Sequence, residues 1–321
     1  MIQSPYRKEW YVGTSIAKGF IGTPLGSRIP TITTYAETFS CSRGVVQNAL
    51  ALLENDKVIV LDKQGKMGTF LVEKNDRQLF HYSGLNHLTA SMPPPLNRHF
   101  AGLATGICQG MSRCDVPFTF AFVQGSKNRI EALLSNSYDF VVTTQHVAEE
   151  YIEKYDNLEI AFPFSGAEYA LPYKLYINKP NKTEIEDGMK VAIDPSSTDQ
   201  VEITRRLCEN KKVIIKEMPL MTANYAFYTG EIDCMVFRDA IQRDSESLLK
   251  FILNSDVKIS PNQISEVQIE DDDLVGMQIP VVLINKDNYG MAGILKNYLS
   301  GDVVGYIQGQ VLAGNMAPQF Y

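Results

Sequence analysis

Residues 26–61 read Gly26-Ser-Arg-Ile-Pro-Thr-Ile-Thr-Thr-Tyr-Ala-Glu-Thr-Phe-Ser-Cys-Ser-Arg-Gly-Val-Val-Gln-Asn-Ala-Leu-Ala-Leu-Leu-Glu-Asn-Asp-Lys-Val-Ile-Val-Leu61, and after a glycine-flanked polar turn the chain resumes as Gly68-Thr-Phe-Leu-Val72. Thr31, following Pro30, is placed to cap a short helix whose apolar positions Ile32, Tyr35, Ala36 and Phe39 keep the three-to-four spacing of one buried face. Ser40-Cys41-Ser42 breaks that helix. Ser42 is then the N-cap of a second helix, in which Val45, Val46, Ala49, Leu50, Leu52 and Leu53 form a wide apolar stripe and Arg43, Gly44, Gln47 and Asn48 fall on the other side. Val58 to Leu61 and Thr69 to Val72 are strand-like, and the segment between them carries Gly65 and Gly68 with Lys63 and Lys66 at its tip.

Two short helices, a small polar turn and a hairpin are the layout of a winged helix-turn-helix, a module that lays its second short helix in a DNA groove. An apolar stripe at helical spacing is core wherever it occurs, and a winged helix can also serve as a scaffold. The weight lies in cap, turn, helix and wing standing in the right order. Charge points the same way. Residues 1–75 carry nine Lys and Arg against six Asp and Glu, a net of +3, so a chain whose total is -7 leaves -10 on the remainder. A basic head on an acidic body suits a protein that meets phosphate at one end.

The segment resembles the DNA-binding domain of GntR-type bacterial regulators, through Ser42-Arg43-Gly44-Val45-Val46-Gln47-Asn48-Ala49-Leu50 and the wing ending Gly68-Thr69-Phe70. The resemblance implies contacts to double-stranded operator DNA. The candidate set is Thr31, Thr33, Ser42, Arg43, Gly44, Gln47, Lys63, Lys66 and Gly68. Thr33 and Gln47 stand where the family carries arginine, which removes two guanidiniums that would reach phosphate or guanine.

At 321 residues and 45% hydrophobic, the chain is long enough for about two domains. Its charge-free stretches, such as Leu274 to Asn285, are too short to span a bilayer, and Met1 to Trp10 is charged where a secretory signal needs an apolar run, so a cytoplasmic protein without membrane contact is expected. Five cysteines, at 41, 108, 114, 208 and 234, form no Cys-x-x-Cys pair and are read as reduced and mostly buried. Residues 4–20 predict a first helix of the head, with Tyr6, Trp10, Ile16 and Ala17 on one face and Trp10, the sole tryptophan, in the core.

After the wing, Glu73 to Gln78 is expected to form a polar hinge, dividing a head (1–75) from a body (76–321). The body alternates strand-like and helix-like segments, which predicts an α/β domain. Leu79 to Ser91 predicts a strand or strand pair, Arg98 to Met111 a helix interrupted by Gly102, Gly106 and Gly110, Val116 to Val123 a strand, Ser126 to Leu134 a helix capped by Ser126, Asp139 to Thr143 a strand and Gln145 to Lys154 a helix. An internal echo follows: Leu134-Ser-Asn-Ser-Tyr-Asp139-Phe-Val-Val142 recurs 94 residues later as Tyr228-Thr-Gly-Glu-Ile-Asp233-Cys-Met-Val236. Met189 to Ile193 and Lys212 to Glu217 supply strands of the second copy, with a helix from about Thr198 between them. Two similar lobes, one inserted in the other, are expected, lobe I at about 79–175 and 275–321 and lobe II at about 176–274.

Ser91 to Pro95 followed by Gly102-Leu103-Ala104-Thr105-Gly106, the turn Gln124-Gly125-Ser126 with Arg129-Ile130-Glu131-Ala132-Leu133, Tyr138-Asp139-Phe140-Val141-Val142, and Asp194-Pro195-Ser196-Ser197-Thr198 resemble the type-2 periplasmic-binding-protein fold, used inside cells as the effector domain of LysR-type regulators. Head and body together are similar to YhfZ-type transcriptional regulators. Gly125-Ser126 and Ser196-Ser197-Thr198 lie where strands hand over to helices, so amide donors and hydroxyls converge there and favour an anion. Ser and Thr at helix starts are also ordinary caps. The candidate ligand set is Ser91, Arg98, Gln124, Gly125, Ser126, Ser196, Ser197, Thr198 and Arg238, for a small effector bearing carboxylate or phosphate, with Arg98 or Arg238 as charge partner.

The histidines, at 81, 87, 99 and 146, have no metal-ligand spacing, and neither Gly-x-Ser-x-Gly nor a Walker A pattern occurs. No catalytic residue, metal or cofactor is assigned. The reading is a one-component regulator, expected to be a homodimer because one head reads a half-site. The alternative is a metabolite-binding protein or enzyme on the same bilobal fold whose head has lost DNA binding.

Overall fold

The computed structural model describes residues 5–169, 171–238, 264–269 and 276–320, with side chains from Lys8 onward. The head begins with α1 (Pro5–Gly22), followed by α2 (Ile32–Thr38), α3 (Arg43–Asn55) and a hairpin of β1 (Ile59–Lys63) with β2 (Thr69–Lys74). Thr31 Oγ1 accepts from Thr34 N at 3.1 Å and Ser42 Oγ from Val45 N at 3.4 Å, the two caps expected. Tyr35 from α2, Phe39 at its C-cap, and Val46, Leu50 and Leu53 from α3 are buried. This is a helix-turn-helix with a small wing.

The first helix differs from expectation in its orientation. Its buried face is Val12, Ile16, Ala17, Phe20 and Ile21, while Trp10 is 67% exposed. At 100° per residue Trp10 lies about 200° round the helix from Val12, off that face. Tyr6 lies outside the described side chains.

The expected hinge is a helix. β2 runs to Lys74, Asn75 caps by accepting from Gln78 N at 3.1 Å, and α4 (Asp76–Ser83) buries Leu79 and Phe80 against α1 before ending at Gly84 with φ +68°. Of the segment expected to be a strand or strand pair, only β3 (Leu88–Met92) is extended. Leu79 and Phe80 satisfy a helix stripe as readily as a strand, and apolar residues over so short a run do not separate the two.

Among the described residues the body has two five-stranded sheets. Lobe I contains β3, α5 (Arg98–Met111), β4 (Phe118–Phe122), α6 (Ser126–Leu134), β5 (Phe140–Thr144), α7 (Gln145–Lys154) and β6 (Leu158–Pro163), then β12 (Pro280–Asn285), α10 (Met291–Tyr298) and α11 (Gly301–Leu312). Lobe II contains β7 (Lys174–Ile177), β8 (Lys190–Ile193), α8 (Thr198–Leu207), β9 (Ile214–Glu217), α9 (Leu220–Tyr228), β10 (Cys234–Phe237) and β11 (Ser265–Gln268). The sheet orders are β4-β3-β5-β12-β6 and β11-β7-β10-β8-β9. In each lobe three parallel strands are followed by an antiparallel one: β12 pairs antiparallel with β5, as β7 does with β10.

The internal echo marks this repetition atom for atom. Asp139 Oδ2 accepts from Thr89 N at 2.9 Å, and Asp233 Oδ2 accepts from Lys190 N at 2.8 Å. Each aspartate ties the start of its own strand to the adjacent parallel strand. β7 begins at Lys174, so the lobe boundary falls slightly before 176; the expected boundary near 274 lies outside the described residues. Gly102 and Gly106 do not weaken α5 but let α11 approach: a Cβ on them would stand 3.0 Å from Gln308 Cα and 3.0 Å from Val304 Cα.

Head and lobe I share one hydrophobic core, and α1 lies along α10. A Cβ at Gly22 would stand 2.5 Å from Gly293 C and 2.6 Å from its Cα. Phe39 meets Tyr289 edge-on at 4.9 Å, Asn297 Nδ2 donates to Ile21 O at 2.6 Å, and Lys18 donates to Asn288, which in turn donates to Asp139 at 3.2 Å. Burial lowers the Lys18 pKa, against the pull of Asp139. Among the described residues no helix is long and apolar enough to cross a membrane.

Candidate DNA-binding face and inter-lobe cleft

On the head, Ser42, Arg43, Gly44 and Gln47 are all exposed along the N-terminal half of α3. Added bulk at Gly44 would meet only Ser42 Oγ, at 3.8 Å, so this face is open. Thr31, Gln47, Lys63, Lys66 and Gly68 line a shared groove between α2, α3 and the wing, whereas Thr33 is half-buried on α2 and outside the lining. Lys63 is paired with Glu54 at 3.0 Å, which directs its charge back onto α3. Lys66 is exposed at the wing tip. Arg28 was missed by sequence reasoning. It bridges to Phe70 as an extra strand edge of the wing and lies across Gly68, where φ is +104° and a Cβ would be 3.0 Å from the guanidinium Cζ. Its signal was an exposed arginine one residue before the buried Ile29.

In the body, a cleft of about 100 Å³ lies between the lobes, lined among others by Asn97, Phe100, Gln124, Gly125, Ser126, Arg129, Tyr169, Tyr173, Ser197, Asp199 and Arg238. Ser91 is fully buried inside β3 and Arg98 is exposed at the start of α5; neither lines the cleft. Alternation along β3 turns Ser91 into the layer beneath, and on α5 it is Phe100, two residues past Arg98, that turns to the cleft beside Asn97, leaving Arg98 on the exposed side.

The two helix starts expected to offer free donors face each other. Ser126 does not cap α6, whose N-cap is Gly125 at φ +85°. Instead Ser126 Oγ donates to Thr198 Oγ1 at 3.1 Å and accepts from Thr198 N at 3.1 Å. Lys127 N donates to Ser196 O at 3.0 Å, and Ser196 Oγ donates to Asp194 Oδ1 at 2.7 Å. A Cβ at Gly125 would stand 2.5 Å from Ser196 Cβ, so the lobes meet there backbone to side chain. One backbone donor of each helix end, Lys127 N and Thr198 N, is thus spent across the cleft mouth. Thr144 Oγ1 to Asp199 at 3.2 Å and His146 to Glu202 at 2.7 Å extend the same seam.

The charge inside comes from elsewhere. Arg238 is buried, donates to Asp199 Oδ2 at 2.9 Å and Met277 O at 2.6 Å, and lies 3.9 Å above the Tyr173 ring. Burial pushes the Asp199 carboxyl up against the pull of Arg238, and pushes the Tyr173 phenol up to about 12. Arg129, 2% exposed on the first turn of α6, donates to Val123 O at 2.9 Å and Tyr169 OH at 3.0 Å. Among the described residues its Nε has no hydrogen-bond partner. Among the described lining residues, Arg129 and Arg238 against Asp199 leave one positive charge in excess. Arg129, Asp199, Tyr169 and Tyr173 were not foreseen as site residues; Arg129 was visible four residues after Gly125, but its inward turn depends on the packing of α6.

Residues 75–320 match the family profile of the YhfZ C-terminal domain, and residues 24–71 match a helix-turn-helix domain. The uncharacterized protein YhfZ of Escherichia coli K12 is 24% identical over 314 residues, spanning 98% of each chain. The crystal structure of YhfZ from Shigella flexneri superposes with a TM-score of 0.57 at 22% identity, over 76% of this chain and 97% of that one. The periplasmic VFT2 domain of Bordetella pertussis BvgS gives a TM-score of 0.48 at 13% identity, over 74% and 97%. With a helix-turn-helix match over residues 24–71 and a YhfZ C-terminal-domain match over residues 75–320, more than half of the chain, the chain belongs to the YhfZ family.

Proposed function

We propose that this protein is a bacterial transcriptional regulator, acting in the cytoplasm, whose GntR-like head binds operator DNA and whose bilobal body binds a small anionic effector. The observation that carries the reading is the open polar face of α3: Ser42, Arg43, Gly44 and Gln47 stay exposed although the head is packed firmly on lobe I. A helix held rigidly with its reading side free is what groove docking requires. The effector class rests on Arg129. A buried guanidinium that, among the described residues, has an unused N–H and no carboxylate of its own favours a ligand that brings carboxylate or phosphate oxygens. The cleft is assigned binding, not turnover; ligand recovered unchanged after incubation would agree with that assignment.

A gel shift with DNA upstream of the protein's own gene tests the first half. Retardation at low salt, weakened about 5-fold or more by Arg43→Ala, is the expected result, since a base or phosphate contact of this kind is worth about 1–3 kcal/mol. No retardation by the wild type at low salt favours a head that has lost DNA binding. For the second half, thermal-shift screening with carboxylated and phosphorylated metabolites should find a stabilising ligand whose effect Arg129→Met abolishes. Flat curves across the panel would count against an anionic effector.

A further inference from the structure

The head cannot swing independently of lobe I. Gly22 is pressed against Gly293, Phe39 against Tyr289, and Asn297 bonds the last turn of α1. If an effector moves lobe II relative to lobe I, as the regulatory reading requires, two heads joined only through heads or lobe I would keep their spacing. Closure reaches the spacing of the heads when lobe II itself carries the contact between copies. We infer that two copies of this chain pair through β9 of lobe II, edge to edge and antiparallel about a two-fold axis centred on Ile215; this rests on the regulatory reading above.

Among the described strands β9 ends its sheet, and it is the one with every residue exposed. Ile214 and Ile215 are 49% and 41% exposed, on opposite faces of the strand. Ile214 N donates to Met189 O at 2.8 Å and Met218 N to Ile193 O at 3.0 Å, so even-numbered residues bond β8. The N–H and C=O of Val213, Ile215 and Glu217 therefore point outward along the free edge. Such an edge is a template for another strand.

Symmetry and charge select one register. A two-fold axis perpendicular to the sheet needs outward residues opposite outward residues, which allows Ile215 to face Ile215 of the second copy, with Val213 facing Glu217 and Ile214 lying beside the stem of Lys216. Sliding by one ladder step in either direction sets lysines opposite one another, Lys212 against Lys216 or Lys216 against itself. Like charges directly opposite destabilise a strand pair. The centred register avoids both.

Light scattering on the full chain at micromolar concentration should give a dimer. Ile215→Lys, which places two ammonium groups across the axis, should weaken it at least tenfold. Ile215→Pro should do the same while leaving the bonds to β8 intact, because that amide points outward. Oxidation of Ile215→Cys should yield a disulfide-linked dimer, since Cα atoms of a hydrogen-bonded antiparallel pair lie about 5.5 Å apart. Ile214→Cys, facing Lys216, should not crosslink, and the wild type with its free cysteines sets the background. A monomeric wild type, a dimer untouched by Ile215→Lys, or equal crosslinking at 214 and 215 would overturn the proposal. If the proline variant does not fold, the cysteine pair decides. A gel shift by the wild type separates the two failures: DNA binding with the wrong interface leaves the regulatory reading standing, and an Ile215-dependent dimer without DNA binding does the reverse.

Discussion

Replacing Gly22 by alanine tests whether head and lobe I are one body. The new Cβ would stand 2.5, 2.6 and 2.8 Å from Gly293 C, Gly293 Cα and Ile294 N, all backbone atoms that no rotamer change can move. Ordinary contact between such atoms begins near 3.5 Å, so α1 and α10 must part by roughly 1 Å. A gap of that size forfeits about a quarter to a half of each dispersion contact along the seam, and overpacking of this kind costs about 1–3 kcal/mol. Gly13→Ala on the same helix is the control. Nothing lies within 4 Å of its added methyl, and a mid-helix glycine gives up about 1 kcal/mol of helix propensity relative to alanine. Thermal melts should therefore move in opposite directions, up for Gly13→Ala and down for Gly22→Ala. Limited proteolysis between residues 72 and 88 should be faster in the second variant alone. A Gly22→Ala protein as stable as Gly13→Ala would show that the head rides on a hinge and does not share a core with lobe I.

Arg238→Met leaves the Asp199 carboxylate buried without its cation and should cost about 3–5 kcal/mol in urea denaturation, most of it recovered in the double variant with Asp199→Leu. Stability should also fall at alkaline pH. Burial pushes the Cys108 thiol up to about 11, and the Cys234 thiol and Tyr173 phenol up to about 12, from ordinary values of 9, 9 and 10. A raised folded-state pKa on an acid means that the neutral form is favoured in the fold. The contribution is therefore complete below about pH 9 and lost as pH rises toward 12. Melting temperatures that stay level from pH 9 to 11 would contradict that burial.

The head was legible in sequence because its signals are local. Thr31 and Ser42 cap helices that begin at the next residue, and the spacing of Val46, Leu50 and Leu53 names the buried face with no knowledge of its partner. The echo around Asp139 and Asp233 likewise exposed the two lobes, because each aspartate performs the same strand-starting bond. What the sequence could not carry were the facts that depend on which surfaces meet. Glu73 to Gln78 has the polarity of a hinge, yet Leu79 and Phe80 find α1 and turn it into the start of a packed helix. Trp10 has the chemistry of a core residue and stands outside. Ser126 has the chemistry of a cap and bonds the opposite lobe. Capping and periodicity are properties of neighbours in the chain, fixed by the peptide geometry itself; the turning of Arg129 into the cleft and the locking of α1 to α10 are properties of neighbours in space, which exist only once the backbone has closed around them.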